Sequence, residues 1–214
     1  MIIVGAKGFA KEVLEILHHL NKTDFLAFFD DINEDIGKFL FNKFPILRSE
    51  EQVKAYFIEH GNEFILGVGN PMIRKKLCQK FLSFGGKLIS SVSPSASIGS
   101  FDVEIGDGTN ILSNAIFSNG TKIGRGGLVY YNVLVTHDVT IGEFVELSPG
   151  VTLLGRVTVG NYTSIGSNAT VLPDVTIGNN VVVGAGSIVT TDIPDNKVVV
   201  GVPARVIKTI NANE

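Results

Sequence analysis

The sequence predicts two architectures in one chain: a small α/β domain over residues 1–92, then an all-β domain, a parallel β-helix, over residues 93–214. Three observations predict this. Apolar strands alternate with helical stripes as far as Leu88. From Ile105 onward a large apolar residue recurs every six positions without a break to Val189. The composition changes between the two: 20 of the 25 valines and 16 of the 24 glycines lie from Ser93 onward, while 11 of the 14 phenylalanines and 12 of the 18 Lys and Arg residues precede it.

In the first part, Ile2-Ile3-Val4 reads as a buried strand ending at Gly5, and Phe9, Val13, Ile16, Leu17 and Leu20 mark one face of the following helix. Phe25 to Phe29 is a second apolar run, closed by Asp30-Asp31. Ser49 opens a capping box with Gln52, and Val53, Tyr56 and Phe57 line the helix it starts. Phe64 to Val68 is a further strand ending at Gly69-Asn70. Pro71 suits a first helical turn, with Ile73, Leu77, Phe81 and Phe84 as the apolar stripe and Lys87-Leu88-Ile89 as the last strand. Such a parallel sheet binds ligands at the carboxyl ends of its strands. Gly5-Ala6-Lys7-Gly8-Phe9 would let backbone approach a phosphate at a helix N-terminus, Asp30 and Asp31 could accept bonds from a sugar or base, and Gly69 ends a third strand. The same glycines would equally serve as tight turns. The glycine spacing is not that of a dinucleotide fingerprint.

In the second part, the residue two before each six-step position, from Val103 to Ser187, is small or β-branched throughout. A six-residue period is neither helical nor a simple alternation. It assigns one hexapeptide to each flat face of a β-helix, with 18 residues per three-faced coil and five coils between Ile105 and Pro194. Val92 and Ile98 keep the six-step, and one extra residue before Ile105 marks an irregular first coil around Phe101.

Of four histidines only His137 falls in the repeat, in a turn beside Asp138. A histidine next to a carboxylate suits a general base whose imidazolium must be stabilised. Gly155 lies one 18-residue step along the same edge, and Pro149, Ser167 and Ala185 share another.

The repeat, Gly201-Val202-Pro203-Ala204-Arg205, and the ordered set Gly-Ala-x-Gly, Asp30-Asp31, Gly69-Asn70 and His137-Asp138 resemble the hexapeptide-repeat acyltransferases. More narrowly, nearly the whole chain is similar to bacterial sugar acetyltransferases that act on nucleotide-linked 4-amino sugars, as in bacillosamine synthesis. The sialic acid O-acetyltransferases share this two-domain plan. The resemblance implies a Rossmann-like nucleotide-sugar domain (1–92), a left-handed β-helix with a C-terminal tail (93–214), a homotrimer, and acetyl-CoA as co-substrate. It implies His137, Asp138 and Gly155 as catalytic, the Gly155 N–H serving the oxyanion. It places Lys7, Gly8, Phe9, Asp30, Asp31 and Gly69 on the nucleotide sugar and Glu146, Ser167, Ala185, Pro203 and Arg205 on acetyl-CoA. Lys7 and Phe9 replace a serine and a histidine of the amino-sugar enzymes, and Glu146 replaces a histidine. An amine acceptor is the expectation, with a sugar hydroxyl as the alternative.

The remaining composition narrows the partners. A formal net charge of −3 offers no general attraction for nucleic acid, and no apolar run reaches a membrane span. One cysteine and no basic leader fit a cytoplasmic protein, and no three-histidine set suggests a metal.

Overall fold

The computed structural model of the chain describes residues 1–211; the last three residues of the expected second domain lie outside the described residues. The first part forms β1 (Ile2–Val4), α1 (Gly8–His19), β2 (Ala27–Phe29), β3 (Phe39–Leu40), β4 (Phe44–Leu47), α2 (Glu50–His60), β5 (Glu63–Leu66), α3 (Pro71–Ser83) and β6 (Lys87–Leu88). Their sheet order is β3-β4-β2-β1-β5-β6, and all neighbours are parallel except the β3–β4 pair. Helix α1 buries Phe9, Val13, Ile16 and Leu17 on one sheet face. Helices α2 and α3 cover the other with Val53, Phe57, Cys78 and Phe81. Both strand faces are therefore apolar, as a doubly covered parallel sheet requires.

Local expectations shift in four places. The β3–β4 hairpin was not legible in the residue pattern. The second strand begins at Ala27, because Phe25 takes a left-handed φ of 48° and points to solvent. Ser49 Oγ accepts from Gln52 N as expected, but Gln52 Oε1 reaches back to Arg48 N (2.6 Å) instead of to the cap residue. Helix α3 does not bury Ile73, which is 48% exposed; it is turned so that Arg74, at 0%, faces inward with Cys78 and Phe81.

The second part is a triangular prism. Its first face stacks Ser91–Val92, Asn110–Ile111, Leu128–Val129, Glu146–Leu147, Ser164–Ile165 and Val182–Val183. The second runs from Ser97–Ile98 through Leu134–Val135 to Ile188–Val189, and the third from Glu104–Ile105 to Thr176–Ile177. Neighbours in a stack are parallel, 18 residues apart along most of its height, at about 4.8 Å per coil. From Ile111 to Val189 each six-step residue is buried, and so is each residue two before it from Thr109 to Ser187. Where the latter is threonine, its hydroxyl still finds an acceptor: Thr109, Thr121 and Thr163 donate to the carbonyls of Gly124, Thr136 and Gly178.

The corners follow a second rule. Between the second and third faces, Gly120, Asp138, Arg156 and Asp174 all have φ between 60° and 74°. The other two corners carry similar columns, among them Asn132, Gly150 and Asn168, and Phe144, Tyr162 and Asn180. Gly, Asn and Asp tolerate this left-handed turn best. At the top, Lys197–Val200 extends the first face with Val199 buried, and Arg205–Thr209 folds back antiparallel along it.

The α/β domain sits on the lower part of the first face. Leu112 and Leu128 join the α1 core and Phe144 joins the α2/α3 core. Asn110 Nδ2 donates to Leu66 O (2.7 Å) while its Oδ1 accepts from Ser91 Oγ (2.7 Å).

Candidate active site

His137 stands on the corner between the second and third faces, with 57% of its side chain exposed. The corner needs a left-handed residue next, and Asp138 supplies it at φ 60°. The same aspartate binds His137 Nδ1 through Oδ2 at 2.8 Å, which leaves Nε2 free. One coil above, a Cβ built on Gly155 would lie 2.5 Å from His137 Cε1 and 2.7 Å from Nε2. The imidazole thus lies over the Gly155 backbone, and any larger residue would displace it. Among the described residues the Gly155 N–H has no acceptor, although its carbonyl receives Asp174 N (3.0 Å). An unengaged ring nitrogen and an unengaged backbone N–H are therefore carried by two residues in contact across one coil. Arg156 binds Asp174 through two bonds (2.6 and 2.8 Å) and closes that edge above them.

The expected nucleotide residues gather at the carboxyl ends of β1, β2 and β5. Gly8 and Gly69 would meet nothing within 4 Å if given a Cβ, and neither has a left-handed φ, so the fold itself does not require glycine there. Lys7 pairs with Asp35 (3.0 Å) and Asp31 with Lys80 (2.6 Å). Asp30 is largely committed to its own loop: its carboxylate accepts from Ile32 N, Asn33 N and Asn33 Nδ2, and Arg48 clasps its carbonyl. Phe9, at the start of α1, packs against Tyr130 on the prism (5.4 Å between centroids).

Of the expected acetyl-CoA residues, Ser167 and Ala185 lie on the corner between the first and second faces, one coil apart. The loop with Pro203 joins them, since Gly201 N binds Ser187 Oγ and Ala204 N binds Ile188 O. Arg205 is exposed at the start of the returning strand. Glu146 is not on that corner. It projects from the first face, beside the α/β domain.

The residue that the sequence did not flag is Arg74. Its Nε donates to Gly126 O (3.1 Å), Nη1 to Gly69 O, and Nη2 to Phe144 O and Val145 O (2.8 and 3.0 Å). One side chain ties the Gly69 turn to the prism. Burial lowers its pKa to about 10, opposed by the charges of Glu146 and Tyr130, so it remains a cation at neutral pH. Burial likewise pushes the Glu146 carboxyl up, with Arg74 pulling it back, and the Tyr130 phenol up.

Among the described residues no group of three His, Cys, Asp or Glu side chains could hold a metal, and no helix is long and apolar enough to cross a membrane.

Comparison with known proteins adds to this geometry. Residues 1–81 match the PglD N-terminal domain, and residues 138–172 and 156–191 match the bacterial transferase hexapeptide (six repeats). No curated protein sequence matches the chain. Among solved structures, PerB from Caulobacter crescentus in complex with CoA and GDP-perosamine is 28% identical, with 97% of this chain and 96% of that chain covered and a TM-score of 0.88. The acetyltransferase domain of PglB from Neisseria gonorrhoeae, in complex with acetyl coenzyme A, is 29% identical, with coverage of 96% and 98% and a TM-score of 0.88. WeeI from Acinetobacter baumannii is 26% identical, with coverage of 97% and 100% and a TM-score of 0.84. With a PglD-type α/β domain, a left-handed hexapeptide β-helix and a shared fold along almost its whole length, the chain has the make-up of a hexapeptide-repeat sugar acetyltransferase.

Proposed function

We propose that this protein transfers the acetyl group of acetyl-CoA to the amino group of a nucleotide-linked amino sugar, with His137 as general base. The observation that carries the reading is the pairing of His137, held through Nδ1 by Asp138, with Gly155, whose backbone the ring covers and whose N–H is unengaged among the described residues. The amino group, once its ammonium form has released one proton to solvent, attacks the thioester carbonyl with its lone pair and gives a second proton to His137 Nε2. The tetrahedral oxyanion takes a bond from the Gly155 N–H. Collapse expels the CoA sulfur, which recovers the proton from the imidazolium, leaving an acetamido sugar and CoA thiol. Lys7, Gly8, Phe9, Asp31 and Gly69, with the loop that Asp30 shapes, hold the nucleotide. Ser167, Ala185, Pro203 and Arg205 hold acetyl-CoA. These reagents place the enzyme in the cytoplasm.

The working form is a homotrimer. In one chain the nucleotide loops and the acetyl-CoA corner flank the first face, whereas His137 stands on the corner opposite that face. A threefold axis along the prism keeps heights equal. It brings the His137 of one copy to the level of Tyr130, Glu146 and Pro149 of the next, where both substrates would converge.

The test follows CoA release with UDP-, dTDP- and GDP-linked 4-amino sugars and with sialic acid. Turnover of an amino sugar that His137→Ala abolishes is expected. Turnover of a hydroxyl acceptor alone would favour the O-acetyl alternative. Mixing His137→Ala chains with chains damaged at Gly8 should restore part of the activity, because sites built from two copies would then pair intact halves; no restoration would count against the shared site.

A further inference from the structure

The outward residues of the first face form a column: Ser91, Asn110, Leu128, Glu146, Ser164 and Val182. The α/β domain buries the first three, and Val182 is 39% exposed. Glu146 stands where the cover ends. Its neighbour Val145 is held by the guanidinium that also holds the Gly69 carbonyl, so Glu146 is fixed next to the carboxyl end of β5. The charged and titratable groups around it are Arg74, Tyr130 and, beyond the tyrosine, Glu12.

Arg74 does not satisfy Glu146. Its hydrogen bonds go to four main-chain carbonyls, and no ion pair joins the two side chains. Among the described residues the Glu146 carboxylate accepts no hydrogen bond at all. A half-buried carboxylate without a partner is a cost to the folded chain. Its raised pKa expresses that cost. A bound cation would offset it.

The proposed reaction brings one such cation to this place. An amino sugar arrives at neutral pH largely as an ammonium, which carries a positive charge and three N–H donors. Acetyl-CoA has no cation at its reacting end, and its phosphates would be repelled. We infer that Glu146 recognises the charged amino group of the acceptor sugar bound at the carboxyl ends of β1 and β5, and so selects an amino sugar over its hydroxyl counterpart. This rests on the N-acetyltransferase reading above. It moves Glu146 from the donor set, where family resemblance put it, to the acceptor set.

Calorimetric titration of the full-length protein and Glu146→Gln tests the assignment. The ligands are UDP-, dTDP- and GDP-linked 4-amino sugars, their 4-hydroxy counterparts, and CoA. For the nucleotide that the wild type accepts, Glu146→Gln should weaken the amino ligand about tenfold or more, while the hydroxy counterpart and CoA change by less than about twofold. Glu146→Asp, which keeps the charge, should retain part of the amine preference. Equal loss for amino and hydroxy ligands, or loss confined to CoA, would overturn the assignment. A wild type that binds and acetylates hydroxyl acceptors alone would instead overturn the parent reading, and this shows before any variant is made.

Discussion

The prism and the α/β domain reach a closed core by opposite means. In the prism, any coil is nearly a copy of the next, and each inward column, such as Ile111, Val129, Leu147 and Ile165, repeats one contact. In the α/β domain nothing repeats, and its hold on the prism passes through single side chains, above all Arg74 and Asn110. The difference teaches where function can be placed. A repeated scaffold positions His137 by register alone, whereas the acceptor side depends on contacts made only once.

Four substitutions test that contrast. His137→Ala should lower kcat by about 10³-fold while leaving the melting temperature of the purified protein unchanged, because its half-exposed ring supports no core; a shifted melt would show that the prism depends on this corner. Arg74→Met leaves the Gly69, Gly126 and Phe144 carbonyls without a donor, while Val145 O keeps Leu128 N, and should cost about 3 kcal/mol. In denaturant melts the α/β domain should then separate from the prism as an earlier transition, and a single unshifted transition would show the junction to be redundant. Gly155→Ala fits the local backbone, yet its methyl would push the His137 ring aside. A fall of about 10²-fold in kcat without loss of stability is expected, read from paired kinetics and melts. The smallest effect is that of Glu146→Gln. The folded carboxyl of Glu146 titrates above its unfolded value, so its contribution to stability is complete below about pH 4.5 and is lost as pH rises through the raised pKa. The glutamine variant should therefore melt slightly above the wild type at pH 7, with the gap closing toward pH 4.5; a gap that widens in acid would contradict the sign.

Legibility in the sequence followed the same contrast. The six-residue step from Ile105 to Val189 marks the buried columns because each coil imposes the same demand on its residues. The pairing of Gly155 with His137 followed from adding 18. The left-handed corners leave a trace as well, since Asn, Asp and Gly recur at them. In the α/β domain the apolar runs locate most strands and helices, yet the helical stripe puts Ile73 in the core, where the structure buries Arg74 instead. Hydropathy ranks side chains by their cost in oil, and Arg74 is buried because carbonyls from two domains converge on it. Asp30 looked like a ligand-binding acid, and the turn after β2 absorbs most of its capacity. Such demands come from distant parts of the chain, and no local pattern encodes them.

The corner column that holds Asp138 also makes the prism a ladder with equal rungs. Each rung asks for one left-handed residue and is nearly indifferent to what precedes it. A histidine–aspartate pair could be moved up or down by whole coils, or a coil of 18 residues removed beneath it, with each move changing its height by about 4.8 Å and its chemistry hardly at all. The distance between acceptor loop and base is thus a quantity that evolution, or an engineer, can adjust in discrete steps without rebuilding either.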